Sequence, residues 1–224
     1  PMTVEGIELG RQLFYDPILS ADNTQSCGSC HNPAFSFTDN GNRFSEGIDK
    51  IKGTRNSMPV MNIGWMTSLF WDGRSPSMED QALEPVTNPI EMHQSWHEAS
   101  IKLNGHPNYP DMFFDAFGIR EIDSSLVAKA IAQFERTLIS TNSKLDRYLK
   151  NEEQLTISEL NGYAIFNTEK GDCFHCHGLG GLITDNKFHN NGLDVEFSAD
   201  EGRYLVTGDA ADKGKFRTPT LRNI

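Results

Sequence analysis

The chain has 224 residues, 31 acidic against 20 basic side chains, and a formal net charge of −11. That length admits one large domain or two small ones, and the acidic balance argues against nucleic acid or an anionic membrane surface as partner. No apolar run approaches the roughly 18 residues of a membrane-spanning helix, and 37% hydrophobic residues make a lean core for two domains.

The N-terminus, Pro1-Met2-Thr3-Val4-Glu5-Gly6, has neither a basic nor an apolar region, so any export signal is expected to have been removed already. Glu8-Leu9-Gly10-Arg11-Gln12-Leu13-Phe14 reads as a helix that must stop at Asp16-Pro17, because a residue before proline avoids the helical region. Cys27-Gly28-Ser29-Cys30-His31 follows. Residues 32–64 are rich in Gly, Asn, Asp and Pro and read as loop. Residues 69–92 gather Trp71, Gln81 and Glu91 in another loop-rich stretch. Residues 109–117 are a predicted helix with Pro107 and Pro110 at its start. Val127, Ile131, Phe134 and Leu138 form one apolar stripe on a helix predicted over about 124–140. The polar run Lys150-Asn151-Glu152-Glu153-Gln154 marks a domain boundary. Just beyond it, Thr156-Ile157-Ser158-Glu159 is a capping box that opens a helix through Phe166. Cys173-Phe174-His175-Cys176-His177 then leads into residues 178–224, again mostly loop. No sustained period-2 alternation occurs, so strands should be few and short.

The two cysteine motifs hold all four cysteines. C-x-x-C-H is the attachment pattern of c-type haem. On a helix, offsets of 0, 3 and 4 fall within one arc, so two thiols and an imidazole can meet one haem from the same side. A random chain of this composition would carry about 0.002 such matches, against two here. A disulfide framework does not place a His after every pair, a thioredoxin-like centre needs a βαβ context, and a zinc site would leave both His unexplained. Cys27 and Cys30 with His31, and Cys173 and Cys176 with His177, are therefore expected to bind two covalent haems c, His31 and His177 being the proximal iron ligands. Haem c attachment makes the periplasm the expected compartment. Both motifs follow a Gly-x-x-(Leu/Ile)-Phe segment, at Gly10–Phe14 and Gly162–Phe166, so the chain reads as an internal duplication. The expected fold is all-α: two tandem cytochrome c-like domains with long loops, over 1–150 and 151–224, each carrying one haem.

The role of a haem depends on its sixth ligand. Met58, Met61 and Met66 are spaced to serve the first iron of a simple carrier. After His177 there is no methionine, and His189 is the one histidine. His189 is expected to structure its loop, His175 to fill a variable position, and His93, His97 and His106 to lie on the surface or in loops. The segments Leu-Gly-Arg-Gln-Leu-Phe-Tyr-Asp-Pro, Cys-x-x-Cys-His-Asn-Pro, Arg-Asn-Ser-Met-Pro, Phe-Trp-Asp-Gly-Arg, Asn-Pro-Ile-Glu-Met, the second C-x-x-C-H and Thr-Pro-Thr-Leu-Arg-Asn-Ile run from Leu9 to Ile224. In these the chain resembles the bacterial di-haem cytochrome c peroxidase family, which also includes the di-haem enzyme that matures the tryptophylquinone cofactor of methylamine dehydrogenase.

The resemblance implies roles. The haem on His31 would be the peroxide site, Glu91 the distal acid–base carboxylate and Gln81 the glutamine beside it. Trp71 matches the family's interhaem tryptophan, a route for electrons, and Asn56 a side-chain ligand of the family's calcium ion. The implied reaction is reduction of hydrogen peroxide to water with electrons from a small cytochrome c or cupredoxin; a homodimer is left open. Alternatives are an oxidase acting on a protein residue and a non-catalytic di-haem carrier. Two departures stand out. Residues 32–92 contain no His, and the stretch expected to carry one reads Ser45-Glu46-Gly47-Ile48-Asp49, so the first haem is expected to rest five-coordinate or water-bound. The chain also stops at Ile224, before the family's further calcium ligands and the second haem's distal ligand, so the sequence reads as cut short.

Overall fold

The computed structural model describes residues 1–179 and 181–223, whose regular elements are helices joined by long loops, with one short antiparallel ladder. In it β1 (Phe188–His189) pairs with β2 (Phe216–Arg217), Phe188 opposite Arg217 and His189 opposite Phe216. The chain divides into two compact units, one of Pro1–Phe70 with Arg74–Leu138, the other of Trp71–Gly73 with Ile139–Ile224. No helix among the described residues is long and apolar enough to cross a membrane.

In the first unit, α1 (Val4–Tyr15) starts where the Thr3 hydroxyl accepts from the Gly6 amide and ends at Asp16, held extended by Pro17. Asp16 serves twice. One oxygen accepts from the Ile18 amide and the other from the Tyr109 hydroxyl at 2.7 Å. The single-turn α2 (Cys27–Cys30) carries the first motif; α3 (Met78–Thr87) packs on α6 (Ser124–Glu135), α5 (Tyr109–Phe117) on α1, and α4 (Trp96–Asn104) on α5. Leu9, Leu13 and Phe14 of α1 are fully buried against the Val127, Ile131 and Phe134 stripe of α6. Their helices cross closely: a Cβ on Gly10 would lie 1.9 Å from the Ala130 carbonyl oxygen, so only glycine fits. The helix over 124–140 is shorter than its stripe predicts. It ends at Glu135, because the Thr137 and Leu138 amides bond back three residues and the Thr137 hydroxyl takes the Phe134 carbonyl at 2.6 Å. Leu138 still packs on the core from beyond the helix end. The Lys102 ammonium of α4 donates to the Ser20 carbonyl at 2.7 Å and to Asn23 Oδ1 at 2.8 Å, fastening the loop that leads into the first motif.

The second unit contains α7 (Lys144–Leu149), α8 (Ile157–Phe166), α9 (Tyr204–Thr207) and the ladder. The capping box at Thr156 and Glu159 forms as its residues predict. None of the three helices has a buried residue, and Ile157, Leu193 and Val195 are 81%, 82% and 92% exposed. Polar ties hold this unit instead: Arg222 makes a two-pronged bond to Asp146 at 2.8 and 2.9 Å and donates to the Gly181 carbonyl.

Candidate active site

The first motif is one helical turn. The Ser26 amide donates to Ser29 Oγ at its start, and the His31 amide donates to the Cys27 carbonyl at its end. None of the four cysteines is paired in a disulfide. His31 Nδ1 lies 3.1 Å from the Phe37 carbonyl oxygen, six residues on. A backbone acceptor there fixes the proton on Nδ1 and leaves Nε2, 3.5 Å from Ser57 Oγ, as the nitrogen with the lone pair, the tautomer an iron ligand needs. Burial keeps the ring neutral by lowering its pKa. Burial first, and the neighbouring Glu135 carboxyl second, push the Cys27 thiol up to about 12. Surroundings that oppose a thiolate suit an uncharged thioether.

The second motif repeats this geometry. The His177 amide donates to the Cys173 carbonyl, and His177 Nδ1 lies 3.1 Å from the Ile183 carbonyl oxygen, again six residues on. Phe37 and Ile183 both take positive φ, 59° and 54°. That is costly for a bulky or β-branched residue and here turns each carbonyl back onto its histidine. Neither residue stands out by type; the signal was their equal offset after the two aligned motifs.

Glu91 stands in the turn that follows α3. Asn88 builds that turn: its side-chain oxygen accepts from the Ile90 amide, its carbonyl from the Glu91 amide, and its Nδ2 donates to Glu91 Oε1 at 2.7 Å. Burial raises the Glu91 pKa above the ordinary carboxyl value, while Asn88 pulls the other way. Glu91 also bears electrostatically on both Cys27 and Cys30, so carboxylate and first motif share one neighbourhood. The stretch 45–49 docks on the same turn. The Ile48 amide donates to the Glu91 carbonyl, and a Cβ on Gly47 would lie 1.6 Å from the Ile90 carbonyl oxygen.

The family model for di-haem cytochrome c peroxidase matches residues 4–154. The chain belongs to the di-haem cytochrome c peroxidase family. It is 36% identical to the methylamine utilization protein MauG of Methylorubrum extorquens over its whole length, covering 63% of that protein, and 36% identical to the cytochrome c551 peroxidase of Nitrosomonas europaea, covering 67%. The chain thus spans about two-thirds of the length of these curated relatives. A solved structure of a MauG-like protein associated with microbial copper homeostasis superposes with a TM-score of 0.92 at 35% identity, over all of this chain and 70% of the other.

A di-haem family supplies two haems, and the residues present fit two. Each motif offers paired cysteines and a histidine whose Nδ1 proton is fixed by a backbone carbonyl, leaving Nε2 as the ligating nitrogen. Of the other predicted residues, Gln81 is half-buried on α3 in the same unit as Glu91, but the amide on the Glu91 carboxylate is that of Asn88. Trp71 groups with the second unit, its carbonyl accepting from the Arg217 amide. Asn56 lies exposed on a loop. His189 Nε2 is paired with Asp185 Oδ2 at 2.7 Å, a loop-structuring contact. Ile224 lies outside the described residues.

Proposed function

We propose that this di-haem cytochrome c peroxidase family member reduces hydrogen peroxide to water at the haem held by Cys27, Cys30 and His31. The observation that carries the reading is Glu91, a half-buried carboxyl with a raised pKa, amide-held, beside the first motif. A bound haem supplies the redox chemistry: two electrons and two protons convert one peroxide to two waters. The chain's own contribution is proton handling. With peroxide bound there, Glu91 would take a proton from one peroxide oxygen and deliver it to the departing one, a general acid–base role open to a carboxyl whose pKa burial raises. Asn88 limits the swing of that carboxyl, and Gln81 is assigned by family resemblance to assist it. The haem on Cys173, Cys176 and His177 stores or relays electrons, with Trp71 on the route. A calcium ion held partly by Asn56, periplasmic location, and a small cytochrome c or cupredoxin as donor complete the proposal. Loop 45–53 supports a first haem that rests without a histidine on its distal side: it has none to offer, and its backbone is fastened to the Glu91 turn.

The match to MauG over the whole of this chain gives weight to a second reading, oxidation of a residue on another protein by the same two haems. Stopped-flow mixing of the reduced protein with peroxide tests the first. Fast oxidation of both haems that Glu91→Gln abolishes, with turnover on a small cytochrome c, supports the peroxidase. Fast oxidation without such turnover supports the second reading, and inertness to peroxide defeats both. A purely six-coordinate low-spin spectrum of the resting protein would defeat the open first haem.

A further inference from the structure

Glu135 is a buried acid of the first unit that the proposed reaction does not use. It is 4% exposed, and its Oε2 is buried without a hydrogen-bond partner. An unpaired carboxylate in that position is expensive, since burial removes water from the charge and nothing replaces it. The neighbouring cation Arg136 offsets only part of that cost. Arg136 turns its guanidinium to Glu79 of α3, with contacts of 2.9 and 3.2 Å. Glu135 is moreover the last residue of α6, where the negative end of the helix dipole opposes a second negative charge.

The place of this acid is as informative as its isolation. The preceding residue, Phe134, packs edge-on against Phe14 and Tyr15 of α1, ring centres 5.2 and 6.0 Å apart. Tyr15 in turn lies over Gly28 inside the first motif, where a Cβ would meet its ring at 2.6 Å. The end of α6 is thus seated behind the Cys27–His31 turn, and Glu135 bears electrostatically on Cys27. The titratable and charged groups that interact with it are Cys27 of α2, Glu79 of α3 and its own neighbour Arg136, while Tyr15 of α1 packs on the preceding Phe134.

We propose that Glu135 is a proton-holding group coupled to the first haem, neutral when the iron is ferrous and ionised when it is ferric. The inference rests on the reading that this haem is carried by Cys27, Cys30 and His31. Glu135 takes up one proton from solvent as the iron receives one electron from a donor, and returns it on reoxidation. The charge added to the site is thereby cancelled, and the lone carboxylate exists only while the ferric centre offsets it. The direction agrees with burial, which raises the Glu135 pKa to about 8 and leaves the group able to switch near neutral pH.

The test is a spectroelectrochemical titration of the haem-loaded full chain across neutral pH. In the native protein the first haem's midpoint potential should fall with rising pH, approaching about 59 mV per pH unit, the one-electron equivalent of a tenfold change in proton activity. Glu135→Gln should remove at least half of that slope while the second haem is unmoved. An unchanged slope in a variant that retains both haems overturns the inference and leaves the peroxidase reading standing. Absence of haem from the first motif overturns the reading beneath it. Redox-difference infrared spectroscopy on Glu91→Gln needs no substitution at Glu135: a protonated-carboxyl band gained on reduction supports the inference, and its absence sinks it.

Discussion

Glu91 and Asn88 act as a pair with opposite effects on one proton. Replacing Glu91 with Gln removes the proton carrier, and the second-order rate with peroxide should fall about 10²- to 10⁴-fold while haem content is unchanged. Asn88→Ala is subtler. The Asn88 amide favours the ionised carboxylate, so its loss should raise the Glu91 pKa further and move the acid limb of the peroxide pH profile, where the base becomes protonated, to higher pH. A limb that moves to lower pH would show that Asn88 acts on something else. At this scale the sequence was readable where chemistry has its own residue types. Cysteines, histidines and one carboxylate in a matching segment pointed to the site. The Phe37 and Ile183 carbonyls were not readable, because every residue has a carbonyl and only the fold says which one turns back. Glu135 was hidden for a related reason, since nothing local distinguishes a buried carboxyl at a helix end from an exposed one.

Helices were legible when their limits are set locally. Asp16-Pro17 ends α1, the proline-marked segment gives α5 at 109–117, and the capping box opens α8. The end of α6 was not, because a stripe reports which side faces the core and not where hydrogen bonding lapses. Glycines in the duplicated segments offer a sharper contrast. Gly10 has the Ala130 carbonyl against it, while Gly162 has nothing within 4 Å. Gly10→Ala should therefore cost about 2–3 kcal/mol or more by forcing α1 off α6. Gly162→Ala should be neutral or stabilise by about 0.5–1 kcal/mol through helix propensity. Thermal or urea unfolding of the two variants reads the difference. In the second unit, Arg222 and Ser143 hold Asp146 well below the ordinary carboxylate range. A lowered folded-state pKa stabilises the fold at pH above the unfolded value, near 3.9, and this contribution is lost as pH falls through the folded one. Asp146→Asn should cost roughly 2–3 kcal/mol at neutral pH and flatten the acid limb of unfolding.

Over the whole molecule the two units differ in what keeps them folded. The first has an apolar core of its own side chains. In the second, no helix buries a residue, and this matches the lean composition only if a large apolar group other than a side chain is counted. Cys173→Ser with Cys176→Ser should thus lose covalent haem at one motif and, by hydrogen exchange, lose amide protection across 139–223 while the protection of α1 and α6 persists. Full protection of the second unit in that variant would refute the idea. Cys27→Ser with Cys30→Ser should halve the covalently retained haem and spare the second unit.

Gly47 carries a consequence in time. A glycine so close to the Ile90 carbonyl, with Ile48 bonded to Glu91, leaves loop 45–53 no swing that would not also unmake the Glu91 turn. An enzyme whose entrance must first be unlocked shows a delay after oxidant arrives. With this loop there is nothing to unlock, so peroxide decay should begin without a lag and its initial rate should not depend on the order in which reductant and oxidant are added.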